Sequence, residues 1–114
     1  MSVTSGDLLA FLTQARVAAV ALPEMAPDAT TFVRRLRVRD FDLITKAEDL
    51  PAGQRTATLL ALYASTEDGK PLFTDEQAAA LVDADAELTQ RIISAGIALN
   101  NPPTDAPGDA QGKG

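Results

Sequence analysis

Two extended segments in an otherwise helix-forming chain limit the possible fold more than any other feature. Residues 16–22 read RVAAVAL and residues 31–38 read TFVRRLRV. Short apolar runs with β-branched residues, bounded by turn signals, favour strands. Pro23 and Pro27 lie between the two runs and interrupt any regular element there. We therefore predict two antiparallel strands, 16–22 and 31–38, joined by a long loop that contains both prolines.

The rest of the chain up to residue 100 shows apolar residues at helical spacing between polar caps. Predicted helices cover 7–15, 41–49, 53–65, 75–82 and 85–99. Thr4 or Ser5 is expected to cap the first helix, and Asp40 the second. Apolar stripes of the first and last helices contain Leu8, Leu9, Phe11, Leu12, Ala15, and Leu88, Ile92, Ile93, Ala95, Ile97, Leu99. The prediction is an α+β domain, residues 1–100, in which a small β-hairpin packs with four to five mostly short helices.

The composition changes at Asn101, from which the sequence reads NPPTDAPGDAQGKG. Such a segment has too little apolar surface to offset the entropy lost on ordering. We therefore predict a disordered tail over residues 101–114.

The segment 65–77, STEDGKPLFTDEQ, could be a metal-binding loop or a turn between helices. An EF-hand loop with Gly69 at its sixth position would need an oxygen ligand at the first position, where Ala64 stands. Asp68-Gly69 and Pro71 favour a turn, and Thr74 with Gln77 forms a capping box for the next helix. The segment is predicted to be a turn.

Composition excludes several classes of function. The 114 residues include no cysteine and no histidine, so the chain itself supplies no disulfide, thiolate nucleophile, Ser-His-Asp triad or imidazole ligand. The net charge is −6, which argues against nucleic acid or an anionic membrane as a partner of the whole surface. No apolar run is long enough to span a bilayer, and the N-terminus lacks the pattern of a signal peptide. We expect a cytosolic protein without a cofactor or a metal.

Arginines concentrate in VRRLRVRD, residues 33–40. On a strand, Arg35, Arg37 and Arg39 would project to one side, and Phe32, Leu36 and Val38 to the other. Two interpretations stay open. The arginines form either a solvated strand face or a basic stripe that docks an acidic segment of a partner. Arg35, Arg37 and Arg39 are thus the candidate partner-binding residues.

Catalysis has little support in the sequence. Asp83, Asp85 and Glu87 could form an acid/base or magnesium site, but negative charge at the start of a predicted helix is explained by capping and by the helix dipole. A Ser-Lys nucleophile would need a desolvated lysine, and Lys70 lies in a polar turn. We expect an interaction module with no catalytic residues, and an enzyme that uses carboxylates alone is the most distant hypothesis.

The order of features in residues 30–100 resembles the tail assembly chaperones of long-tailed, siphovirus-type bacteriophages and prophages. A basic extended segment leads into a helix, then into RTATLLALYASTEDGKPLFTDEQAAAL, and then into an acid-capped helix ending ISAGIALN. The best-matched piece is Leu59–Leu81, a helix that runs into the turn DGKPLFTDE. The resemblance brings with it no catalytic residue.

This resemblance implies a non-enzymatic role in virion morphogenesis in the host cytoplasm. Such chaperones are thought to coat the tape measure protein before the tail tube polymerises, to recruit major tail tube protein subunits, and to leave as the tube assembles. Many copies on one filament imply self-association, through a sheet edge or a basic stripe that meets an acidic face. The alternative is a small structural virion component, such as a head–tail connector or a minor tail protein.

The last residues suggest a hypothesis that rests on the same resemblance. In many of these phages a programmed ribosomal frameshift near the end of the gene produces a longer protein. The codons CAG-GGA-AAG would encode Gln111-Gly112-Lys113 and contain the slippery sequence GGGAAAG. The other interpretation is that these residues are simply a polar disordered terminus.

Overall fold

The computed structural model describes residues 2–101, in which a three-stranded sheet packs against helices. The α-helices are α1 (Ser5–Leu12), α2 (Phe41–Glu48), α3 (Ala52–Tyr63), α4 (Asp75–Ala79) and α5 (Ala86–Asn100). The strands are β1 (Val17–Ala21), β2 (Thr30–Arg34) and β3 (Ala64–Ser65), and short 3₁₀ helices occupy Val38–Asp40 and Ala80–Asp83. The α+β prediction is confirmed. The predicted tail lies outside the described residues except for Asn101.

The predicted hairpin is present, with both prolines in its loop. β1 and β2 pair antiparallel from Val17 opposite Arg34 to Ala21 opposite Thr30. The predicted helix 53–65 was wrong at its end, because residues 64 and 65 form β3. β3 pairs antiparallel with β2 and completes the order β1-β2-β3. A strand so short carries no periodic signal of its own, because only its pairing with β2 makes it a strand.

The local signals at helix ends act as predicted at three positions. Thr4 Oγ1 accepts a hydrogen bond from the Asp7 amide (3.1 Å) and so caps α1. Thr74 and Gln77 form the predicted capping box of α4, with distances of 3.1 and 3.0 Å. Asp85 Oδ1 accepts from the Leu88 amide (2.9 Å) at the start of α5. These bonds satisfy amide groups that have no partner within a helix.

The core lies between one face of the sheet and the helices α3 and α5. Its buried members are Val20, Val33, Leu60, Tyr63, Ala64 and Ile93. Gly96 of α5 lies against the Tyr63 ring so closely that a Cβ at Gly96 would be 2.5 Å from Tyr63 Cγ. The absence of a side chain at Gly96 therefore allows α3 and α5 to approach closely. Burial of the Tyr63 side chain raises its pKa, because desolvation disfavours the charged form.

Several sequence predictions were wrong in detail. The predicted helix 75–82 divides into α4 and a 3₁₀ helix. Ile97, which was placed in the apolar stripe of the last helix, is 46% exposed, whereas Ile93 of the same stripe is buried. The predicted strand 31–38 ends at Arg34, and residues 35–37 form no regular element.

Candidate protein-binding surface

Arg34 marks the point where the chain leaves the sheet. Its guanidinium turns inward, where Nε donates to the Leu62 carbonyl (2.9 Å) and Nη1 donates to Asp40 Oδ2 (3.1 Å). The side chains of Arg34 and Asp40 are each only 8% exposed. A buried charge is tolerated only when it is paired and hydrogen-bonded. The arginine next to the predicted stripe is therefore a structural residue.

Two polar side chains hold the irregular segment after β2. Asp40 Oδ2 also accepts from the Arg37 amide (2.7 Å). Asn100, at the end of α5, accepts from the Leu36 amide through Oδ1 (2.7 Å) and donates to the Arg34 carbonyl through Nδ2 (3.1 Å). The Arg35 amide still bonds across the hairpin to the Arg16 carbonyl (2.9 Å), and beyond it these side-chain bonds take the place of the sheet ladder. Asp40 was predicted to cap α2, but its side chain makes no bond to the α2 amides.

Because β2 ends at Arg34, the candidate arginines do not lie on a strand. Arg35 and Arg39 are exposed, while Arg37 is half-buried and donates through Nη1 to the Thr13 carbonyl (3.3 Å). The predicted alternation was wrong because these residues are not on a strand. Val38, which it placed on the side opposite the arginines, is 82% exposed. Whether these arginines bind a partner stays a prediction.

Helix α1 lies opposite the arginine segment, residues 34–39, across a groove. The predicted helix 7–15 is present as α1 but ends at Leu12, and none of the residues of α1 is buried. Leu9, Phe11 and Leu12 are 64%, 59% and 67% exposed. The Arg16 guanidinium lies over the Phe11 ring, 4.5 Å from its centroid, at the distance of a cation–π contact.

Together α1 and the arginine segment enclose a groove of about 850 Å³, which we call the arginine groove. It is lined by residues 11–16, residues 34–39 and Gly69. Gly69 allows its turn to approach Ala15 closely. Its φ is +83°, and a Cβ there would lie 3.0 Å from Ala15 Cβ. The segment predicted as a turn, and not as a calcium loop, thus packs against Ala15 and Val17 at the start of β1.

A second groove of about 770 Å³ runs between α2, α3 and α4. Leu43 and Val82 line it and are 46% and 53% exposed. Asp75 is an acidic residue of its lining, and the Arg34–Asp40 pair also borders it. We call it the helical groove. Its apolar walls could receive an amphipathic helix.

The carboxylates outside the two grooves show structural roles at Asp85 and Glu24. Asp85 caps α5, and no group of three or more Asp or Glu within residues 2–101 is placed to hold a metal ion. Glu24 in the β1–β2 loop receives two bonds from Arg91 of α5, of 2.8 and 2.7 Å. These bonds lower the pKa of Glu24 to about 2. No helix of the described part is long and apolar enough to cross a membrane.

Comparison with known proteins finds a likeness at the level of the fold. The sequence matches no protein-family model and no curated protein. The fold is similar to that of the tail assembly chaperone of bacteriophage HK97, with a TM-score of 0.65 and 13% sequence identity. The likeness covers 89% of this chain and all of the HK97 chain. This chain therefore has the fold of a phage tail assembly chaperone, as the sequence resemblance implied.

Proposed function

We propose that this protein is a tail assembly chaperone that acts by binding other tail proteins in the cytoplasm of the infected host. It binds the tape measure protein, recruits major tail tube subunits, associates with further copies of itself, and is not retained in the virion. The observation that carries the proposal is the fold likeness to the HK97 chaperone across nearly the whole chain.

The surface of the molecule supports a role in binding. Twelve large apolar residues are exposed among the described residues, and several of them line the two grooves. Exposed apolar surface of this kind is typical of sites where other proteins bind. Grooves with apolar walls suit weak and reversible contact with helices, which a chaperone that leaves during assembly requires.

Co-expression tests this function directly. The full chain would be produced with the tape measure protein encoded by the same genome, and complex formation would be followed by affinity purification and size-exclusion chromatography. We expect a soluble complex that contains both proteins, and a tape measure protein that is less soluble when produced alone. Failure of the two proteins to associate would contradict the proposal.

Mass spectrometry of finished particles separates the chaperone from a structural protein. We expect the chain in infected cells and not in purified virions. A stoichiometric amount in virions would instead assign the protein to the head–tail connector or minor tail class.

A longer frameshifted product is part of the same proposal. Sequencing the gene through the codons for Ala110–Gly114 would show whether a slippery sequence precedes an overlapping reading frame. Codons that cannot slip would remove this part and leave the binding role intact.

A further inference from the structure

The arginine groove combines positive charge with exposed apolar surface on a chain whose net charge is negative. Five of the ten basic residues of the chain line it, and its lining contains no Asp or Glu. Such segregation of charge creates a local positive field that the overall charge of −6 does not predict.

The arginines that face this groove are not neutralised within the described residues. Residues 2–101 contain two ion pairs, Arg34–Asp40 and Arg91–Glu24. Arg34 is therefore satisfied, whereas Arg16, Arg35, Arg37 and Arg39 have no carboxylate partner in this part of the chain. Guanidinium groups present fixed pairs of donors that suit carboxylates.

The apolar part of the groove is continuous with the exposed stripe of α1. Leu12 and Val38 stand on opposite walls and are 67% and 82% exposed. An apolar ridge laid between them would remove both from water. A helix offers such a ridge at i, i+3 and i+4 spacing, and it can carry charged residues on its flanks.

We propose that the arginine groove is a docking site for an amphipathic α-helix of a partner protein whose apolar stripe is flanked by Asp or Glu. The stripe packs between Leu12 and Val38, and the flanking carboxylates meet Arg35 and Arg39. This inference deepens the proposed function by assigning a surface and a partner chemistry. It rests on that function only in the identity of the protein that supplies the helix.

Structural roles decide which arginines can test the proposal. Arg34 is buried and Arg37 bonds the Thr13 carbonyl, so their replacement would also disturb the wall of the groove. Arg35 and Arg39 are exposed, and no side-chain hydrogen bond of theirs is found in the described part. The charge variant is therefore Arg35→Glu/Arg39→Glu. Its control is Lys46→Glu/Arg55→Glu, which changes the net charge equally at exposed positions outside the groove. The control also removes the bond from Arg55 to the Leu50 carbonyl (3.1 Å), and neither residue of that bond lines the groove.

The apolar variant is Leu12→Ser/Val38→Ser. Its control is Met25→Ser, because Met25 is 76% exposed and lies in the β1–β2 loop, away from the groove. Circular dichroism and thermal unfolding of each full-length variant establish that the fold is retained before binding is measured.

The probe is a synthetic helix of about 18 residues, roughly 27 Å long, with leucines at i, i+3, i+4 and i+7 and glutamates on both flanks. A second peptide has glutamine at every glutamate position. Binding is measured by fluorescence anisotropy, and the site is located by NMR shift changes.

We expect the acidic peptide to perturb residues 11–16 and 34–39, and to bind about tenfold more tightly than the glutamine peptide. Each groove variant should weaken binding about tenfold or more, with both controls unchanged. Raising the salt from about 50 to about 300 mM should weaken binding to the wild type.

Four results would overturn the proposal. They are no binding of the acidic peptide at about millimolar concentration, equal weakening by the charge variant and its control, NMR changes confined to other surfaces, and binding only of an oligonucleotide or of phosphatidylglycerol vesicles. Self-association that the groove variants abolish, without peptide binding, would assign the groove to a second copy of this chain.

The tape measure protein then separates this inference from the proposed function. If the charge variant still binds that protein as well as the wild type, the function stands and the assigned surface fails. If the acidic peptide binds in the groove but the tape measure protein does not associate, the surface stands and the proposed function fails.

Discussion

The two apolar regions of this molecule have similar sequence patterns and opposite environments. Helix α3 places Leu60 and Leu62 in the core, 3% and 4% exposed, whereas Leu9 and Leu12 of α1 are 64% and 67% exposed. Helical periodicity predicts both helices equally well. The difference shows that an amphipathic helix can be recognised from its own residues, while its partner cannot. In α3 the partner is this chain, and for α1 we infer that it is another protein.

The arginines next to α1 also differ from one another in their environment. The side chains of Arg34 and Asp40 are buried and bonded to each other, whereas those of Arg35 and Arg39 are exposed. Neighbouring arginines in one short segment therefore have separate tasks. One fixes the backbone, and the others are available for binding.

The largest expected effect comes from breaking the buried pair. Asp40→Ala leaves the Arg34 guanidinium buried without its carboxylate and frees the Arg37 amide, so we expect a loss of about 3–5 kcal/mol in the free energy of unfolding. Urea denaturation measures it. Asp42→Ala, at an exposed position two residues along the chain, should change stability by about 0.5 kcal/mol or less. Similar losses for both variants would mean that the pair does not hold this segment.

The next effect tests the contrast between the two helices directly. Leu60→Ala removes a buried side chain and should lower stability by about 2–5 kcal/mol. Leu9→Ala removes an exposed one and should change stability by about 0.5 kcal/mol or less. A large loss for Leu9→Ala in the isolated protein would show that α1 packs on this chain, and it would remove the basis for α1 as a docking surface.

A smaller effect is expected at the close contact between α3 and α5. Gly96→Ala places a Cβ against the Tyr63 ring and should destabilise by about 1–3 kcal/mol through overpacking. Gly53→Ala has open space around the new Cβ and lies in helix α3, so it should stabilise by about 0.5–1 kcal/mol. Equal responses at the two glycines would contradict the close packing of α3 on α5.

The smallest effect concerns the exposed ion pair between Glu24 and Arg91. NMR titration should find the pKa of Glu24 at about 2 and return it toward 4.5 in Arg91→Gln, whereas Arg55→Gln should leave it low. Because the pKa is lowered on folding, the stabilisation is complete above about pH 4.5 and is lost as the pH falls toward 2. High salt should reduce the shift, since the pair is exposed. An unshifted Glu24 would mean that the β1–β2 loop is not held to α5.

Local signals in the sequence were sufficient for much of the fold. The capping box of Thr74 and Gln77 and the Asp85 cap act within one helical turn, so nearby residues alone specify them. The glycine turn at Gly69 and the hairpin around Pro23 and Pro27 depend on similarly local chemistry. The resemblance of residues 30–100 to tail assembly chaperones also proved right at the level of the fold.

The candidate site was only half visible in the sequence. Arg35, Arg37 and Arg39 were singled out by their density, and the structure brings all three to one groove. Asn100 follows directly after the predicted helix 85–99 and was not among the candidate residues. It shapes the groove through a bond to the Leu36 amide, 64 residues away along the chain, and no local pattern could reveal that contact.

Nearby residues alone were enough to specify most of the helices and the hairpin strands, because propensity, periodicity and capping act over a few residues. Packing of the whole chain decided where β2 ends, which arginine is buried and which apolar stripe stays exposed. Those outcomes depend on contacts between distant segments, such as Arg34 with Leu62 and Leu36 with Asn100. Burial is a property of the packed chain, and so the exposed stripe of α1 could be recognised as a surface only once the core had formed without it.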